Sequence, residues 1–366
     1  MALTQVNLGM VDTAAAGGLG MRNKIINGAM EIDQRNAGAS VTYGSSTTLY
    51  AVDRWGGFED TDGEMTGQQS SEAPAGFINS IKLTTTTADS SLGATQRVIF
   101  RQIIEGSNCR DLNWGTSDAK TITISFWVRS SLTGTHGGVI ANQAQNRSYP
   151  FTYTISAADT WEQKSITVAG DTSGTWLTTN AQGIRLIFGM GVGSTYSGTA
   201  GSWAGTRYES ATGAVSVIGT LNATWYITGV QLEVGSVATE FERRPYGTEL
   251  ALCQRYCYVI DASNSSYATA GNAIAFSTNY AIANTTLPVS MRTKYTSLTI
   301  SNNAHWLISD YNNDYTWSNF VLNSSNSTPN LVIYEGTTAT TLTAGRTYVA
   351  RAANNTSAKL TFSAEL

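Results

Sequence analysis

At 366 residues the chain is long enough for two domains, each able to bury its own core. Its formal net charge is −4, and charged residues make up 13% of it, against about 25% in ordinary soluble proteins. The longest basic run is Arg243–Arg244, so a nucleic-acid partner, which needs a basic face to neutralise phosphates, is not expected; nor is membrane insertion, since no run approaches the roughly 20 apolar residues of a spanning helix.

The chain opens with MALTQVNLGMVDTAAAGGLG, which has neither the basic n-region nor the apolar h-region of a secretory signal. Ala14 to Gly20 is flexible by composition. Residues 1–24 therefore suit a disordered leader or an extended arm that orders on docking. From Ile25 to about Val234, short apolar runs are separated by Gly, Asn, Ser and Asp. In 121–129, Ile122, Ile124, Phe126 and Val128 alternate with Thr123, Ser125, Trp127 and Arg129; 149–155 and 184–188 alternate in the same way. Half-buried alternation is the pattern of antiparallel strands with one face on a core, and no βαβ spacing suggests a parallel sheet. Val52, Trp55 and Phe58 read as core anchors, with Asp53 and Arg54 tying down their strand by charge-assisted hydrogen bonds.

Residues 226–256, YITGVQLEVGSVATEFERRPYGTELALCQRY, form the seam of the chain. A strand over 226–234 puts Tyr226, Val230, Leu232 and Val234 on one face at period two. A charged connector leads to Pro245, and a helix follows with Leu250, Cys253, Tyr256 and Cys257 as its apolar stripe. After it, YCYVI, NAIAF, SLTIS, NFVLN, LVIYE, RTYVA and KLTFSAEL read as strands of a smaller unit. The expected architecture is all-β: two antiparallel β-sandwiches, 25–244 and 259–366, joined by a short α-helix over 245–258. Three cysteines, Cys109, Cys253 and Cys257, read as reduced thiols, which fits assembly in a reducing cytoplasm.

Little in the sequence promises catalysis. His136 and His305 have no companions at metal-ligand spacing, and Gly-X-Ser-X-Gly is absent. The glycines of GMGVG, 189–193, read as a mobile loop, and the acidic groups Glu59/Asp60/Asp62 and Asp310/Asp314 as turn residues. No cofactor, metal or enzymatic activity is expected. Aromatics outside the core pattern point to binding instead, because sugars stack on aromatic rings while amides and hydroxyls supply directional hydrogen bonds. Trp306, Tyr311, Tyr315 and Trp317 lie among Asn302, Asn303, Asn312 and Asn313 in the second unit; Trp127 and Trp203 stand out in the first.

Three segments carry a resemblance: NKIINGAMEIDQRNAG with the later YAVDRW (23–55), the seam 226–256, and TTLPVSMRTKYTSLTIS (285–301), with LTFSAEL at the end. They resemble a family of bacteriophage virion proteins, mostly tail-fibre or other structural proteins. The resemblance implies that the first sandwich is a jelly roll similar to carbohydrate-binding modules, that the protein assembles as a homotrimer, and that residues 1–24 attach it to other virion proteins. It implies a virion protein made in the bacterial cytoplasm, a tail-fibre or spike subunit adhering to host surface glycan. The alternative is a capsid or tail decoration protein with a lectin-like domain and no essential receptor role.

Overall fold

The computed structural model describes residues 21–366 other than 46, 296, 311, 324, 339 and 340. The expected arm over 1–24 thus lies outside the described residues except for its last four, as does Tyr311. The chain divides into two compact units between Arg244 and Pro245.

The first unit packs two six-stranded sheets face to face. One has the order β1 (Val41–Thr42), β4 (Glu64–Ser70), β5 (Ser80–Thr87), β14 (Thr224–Val234), β7 (Ile122–Ser130), β10 (Glu162–Val168). The other runs β2 (Leu49–Val52), β3 (Trp55–Glu59), β6 (Arg97–Glu105), β11 (Gln182–Val192), β8 (Gly134–Asn142), β9 (Ser148–Ile155). Neighbours in both sheets are antiparallel, and a two-residue parallel pair, β12 (Ser197–Gly198) with β13 (Ser210–Ala211), lies in the long loop before β14. Alternation in the sequence translates directly into this core: Ile122, Ile124, Phe126 and Val128 of β7 are fully buried between the sheets with Leu186 and Phe188 of β11. GMGVG is not a loop. Gly189 to Val192 finish β11, paired with β6 across a register shift.

In β14 the period-two expectation breaks. Trp225 and Ile227 face the core, and so do Val230 and Leu232, because a bulge between Thr228 and Gln231 advances the register. One extra residue exchanges the faces of everything beyond it. Gly229 permits the bulge with φ of 62°, in space where a Cβ would meet the Phe77 ring at 2.6 Å. Tyr226, expected to share the face of Val230, instead lies on the outward side of the sheet.

The segment 22–38 makes no strand of its own, yet it is fastened along β14. Lys24 N–H donates to Leu232 O and Val230 N–H to Gly28 O. Gly28 is required there, since a Cβ would lie 2.2 Å from Val230 O. Asn27, at φ of 56°, donates to Ile32 O and Asp53 O. Trp55 donates its indole N–H to Asn27 O at 3.0 Å, is fully buried and stacks on Phe100 at 5.4 Å. Asp53 accepts from Gln34 and Arg35, while Arg54 donates to Ile103 O at 2.5 Å. Both polar side chains serve as anchors, as expected.

In the second unit, α1 (Tyr246–Gln254) is the one α-helix among the described residues. It ends before Tyr256, so the expected stripe is shared between helix and strand: Cys253, Tyr256 and Cys257 are buried and Leu250 is only half-buried. A three-stranded sheet orders β15 (Cys257–Asp261), β23 (Lys359–Ser363) and β18 (Ser297–Ile300). The remaining strands close a six-stranded antiparallel barrel: β16 (Thr269–Ala275), β17 (Tyr280–Thr286), β21 (Leu331–Thr338), β20 (Asp314–Leu322), β19 (Trp306–Ser309) and β22 (Thr347–Ala352). The chain is all-β and antiparallel as the alternation implies, but this second unit closes into a ring where an open sandwich was expected. The sequence reading lacked two barrel strands, β17 and β19. No described helix is long and apolar enough to cross a membrane.

Two measurements check this packing. Trp55→Ala should cost about 3–5 kcal/mol in urea unfolding of the full chain. His136 is fully buried and stacked on Tyr153; its Nε2 lies 3.2 Å from Leu132 O and its Nδ1 has no partner. Burial holds its pKa below the usual value. The unfolded chain takes up a proton near pH 6.5 while the folded imidazole does not, so this group is neutral to stability above about pH 6.5. Stability should fall as pH drops through and below that value until the folded imidazole is also protonated, and His136→Gln should flatten the dependence.

Candidate functional site

The aromatics selected in the second unit separate on folding. Trp306 and Trp317 are 1% and 2% exposed, respectively, within the barrel core. Inward positions of a small closed barrel must be filled by side chains, and these two indoles fill them; Trp317 stacks on Phe320 at 5.1 Å. Neither can stack on an external sugar, which corrects the expectation for both. Tyr315 is half-buried, edge-on to Tyr348 at 5.5 Å. Its phenol donates to Asp310 Oδ2 at 3.5 Å. Asp310 in turn accepts the N–H groups of Asn312 and Asn313, both at 2.8 Å, which hold its carboxyl below the usual range with help from Arg346. Asp310 is a turn residue, as expected. It borders an open groove of about 570 Å³ with Asn272, Tyr348 and Arg351.

In the first unit Trp203 packs against other rings while staying partly exposed. It meets Trp114 at 5.4 Å, Trp176 at 5.5 Å and Tyr149 at 5.3 Å, and donates its N–H to Ala169 O at 2.8 Å. Beside it Arg147 forks onto Asp171 with two bonds of 2.7 Å. This cluster holds loops together; Trp203 stays partly exposed, but its ring and indole N–H are already engaged in packing rather than left free as a stacking platform.

Trp127 differs. β7 has β14 on one side and β10 on the other, so its outward residues lie in the interior of an open sheet face. Trp127 is half-exposed there, directly across from Thr228 of β14 and Gln163 of β10. Among the nine tryptophans it is the half-exposed one with neither a ring contact nor an indole hydrogen bond among the described residues. One row along, Gln68, Lys82, Tyr226 and Arg129 align across four strands. Arg129 and Lys82 lie 5.0 and 5.6 Å from the Tyr226 ring, and Trp161 meets it edge-on at 6.1 Å. Glu72 accepts from Arg129 at 2.5 Å and from the Tyr226 phenol at 3.4 Å.

This face offers one indole without a ring or hydrogen-bond partner among the described residues, two amides, Gln68 and Gln163, and a fixed cation. It can bind a polar ligand with flat apolar faces by stacking and directional hydrogen bonds. Among the described residues no group of three or more His, Cys, Asp or Glu is arranged to hold a metal ion. Sequence reasoning found Trp127 and missed its companions Tyr226, Lys82 and Glu72. Gly229 in mid-strand was the available signal for Tyr226, since a glycine there often marks a bulge.

No family model matches the chain, and no curated protein matches it. Solved structures do. The enzymatically active domain of bacteriophage CBA120 tailspike protein 4 is 12% identical over 58% of this chain, which spans 22% of that one, at a TM-score of 0.30. A family 11 carbohydrate-binding module from Clostridium thermocellum, in complex with a β-1,3-1,4-mixed-linked tetrasaccharide, is 13% identical; the match covers 52% of this chain and 96% of that one at a TM-score of 0.28. A putative sugar-binding protein from Bacteroides thetaiotaomicron is 11% identical over 58% of this chain and all of its own, at 0.33. Similarity of this degree assigns no function.

Proposed function

We propose that the chain is a bacteriophage virion structural protein, a tail-fibre or spike subunit, that adheres to host surface glycan through the outward face of the β1–β4–β5–β14–β7–β10 sheet. It acts as a binding protein, not an enzyme, and works as a homotrimer attached through residues 1–24. The observation that carries the glycan reading is Trp127: a partly exposed indole in the interior of an open sheet face, with neither ring contact nor N–H bond among the described residues and the exposed amide of Gln163 beside it. The virion reading rests on the resemblance of the leading and seam segments, which the fold brings into direct contact along β14.

A stacked ring contributes on the order of 1 kcal/mol beyond the area it buries, so one site is weak, and three copies on one fibre gain by avidity. Trp127→Ala should leave the protein folded with a melting temperature only modestly below the parent's, because the ring lies outside the core and its indole N–H makes no hydrogen bond among the described residues. It should weaken binding of the purified protein on a glycan array, and adsorption to host cells, by about tenfold. Equal binding by parent and variant would remove this face from the function and favour the decoration reading. Deleting residues 1–20 should leave a folded protein that no longer enters particles, as assayed by its presence in purified virions.

A further inference from the structure

The opposite sheet carries a different chemistry on its outward side. Ile99, Val139, Ala141 and Ile187 make a small apolar floor there, packed with Phe58 and Tyr208. Four arginines gather over it: Arg97 and Arg101 from β6, Arg185 from β11, and Arg207 from the loop before β14. Arg101 pairs with Ile187 and Arg185 with Ile103, so the two share the outward side as diagonal neighbours, a separation of roughly 7–8 Å.

Only half of this charge is matched. Glu209, fully buried, takes Arg97 at 2.6 Å and Arg207 at 2.6 Å and accepts from Gln145 at 3.3 Å, while Asp60 takes Arg97 at 3.1 Å. The Arg97 guanidinium also lies between the Phe58 and Tyr196 rings, 4.8 Å from each. Arg101 and Arg185 have neutral partners instead: Arg101 donates to Thr48 Oγ1 at 2.6 Å and Arg185 to Gln182 Oε1 at 2.8 Å. The Nε atoms of both are buried without a hydrogen-bond partner, and no described carboxylate pairs with either. Burial lowers the pKa of both, that of Arg185 to about 10 with Arg101 as the next cause. Yet both side chains remain half-exposed, so a ligand can reach them. The Glu209 carboxylate acts on both through space but is already shared by Arg97 and Arg207. Two adjacent, partly desolvated cations with no ion pair of their own are costly unless an anion joins them, and guanidinium forks match planar or tetrahedral oxyanions.

We propose that Arg101 and Arg185 form a binding site for an oxyanion, with Arg97, Glu209 and Arg207 fixing its wall. The occupant is a carboxylate or phosphate group, supplied either by an acidic glycan or by free phosphate. The site is on the other sheet from Trp127, so it stands or falls independently of the glycan face proposed above.

The test is calorimetric titration of the full chain at low ionic strength with inorganic phosphate and, separately, with oligogalacturonate, alongside melting curves with phosphate or with sodium chloride at matched ionic strength. The parent should bind at least one probe and melt higher in phosphate than in chloride. The double variant R101Q/R185Q should bind about ten- to hundredfold more weakly, lose the phosphate-specific rise in melting temperature, and remain folded in chloride. The control Lys120→Gln, an exposed cation of the first unit outside both faces, should bind these probes like the parent. Binding of oligogalacturonate supports the site and assigns an acidic glycan as its source; binding of phosphate alone supports it and assigns free phosphate. Binding of neither probe by the parent, or equal binding by the double variant, would overturn the proposal.

Discussion

A segment without a strand, residues 22–38, is held to β14 by buried amides, and both sheets of the first unit depend on that attachment. Asn23 donates its side-chain N–H to Val230 O and accepts from the N–H groups of Ile25 and Leu232. Gln102 exchanges hydrogen bonds with both backbone groups of Ile26, which ties the same segment to the opposite sheet. Glu242 accepts from the N–H groups of Arg22 and Asn23, and Arg244 donates to Asn23 O and Ile25 O. Each bond is worth about 1 kcal/mol net, but a buried donor or acceptor left alone costs about 1–3 kcal/mol. The segment therefore docks completely or not at all, and Trp55 beneath it has its one polar atom satisfied only when it docks.

That clamp accounts for the physical sense of the segments that carry the resemblance without appeal to ligand. NKIINGAMEIDQRNAG, DRW and the 226–244 stretch are far apart in the chain and form one hydrogen-bonded body. With the frame fixed in this way, the two outward sheet faces are free to differ. One presents Trp127 among amides and a cation. The other is flanked by the loop before β14 and gathers arginines, of which Arg101 and Arg185 stay partly exposed. Function on such a frame lies in the faces, and the same frame can serve more than one.

Much of the frame was legible in the sequence. Wherever a strand alternated cleanly, as in Ile122 to Arg129, the buried face followed, and Trp127 was identified as outward by that rule alone. Trp55, Asp53 and Arg54 were legible as anchors because a large ring flanked by a charged pair has few other uses inside a β-rich run. The rule failed at Gly229, where one inserted residue moved Tyr226 to the other face, and at Trp306, whose short strand was hidden among Asn and Ser.

By itself, then, the sequence determined the all-β class, the antiparallel strands and most of the first core, because alternation in a strand is a local property and burial follows it directly. Only the tertiary structure decided which aromatics stay outside. Closure of the β16–β17–β21–β20–β19–β22 ring drew Trp306 and Trp317 inward, and a cluster of rings engaged Trp203. Nor could any run of sequence disclose the arginine site: Arg97, Arg101, Arg185 and Arg207 are scattered through more than a hundred residues, and only pairing between β6 and β11, with the loop that carries Arg207 beside them, places like charges side by side. Electrostatics depends on distance in space, and distance in space is set by strand register.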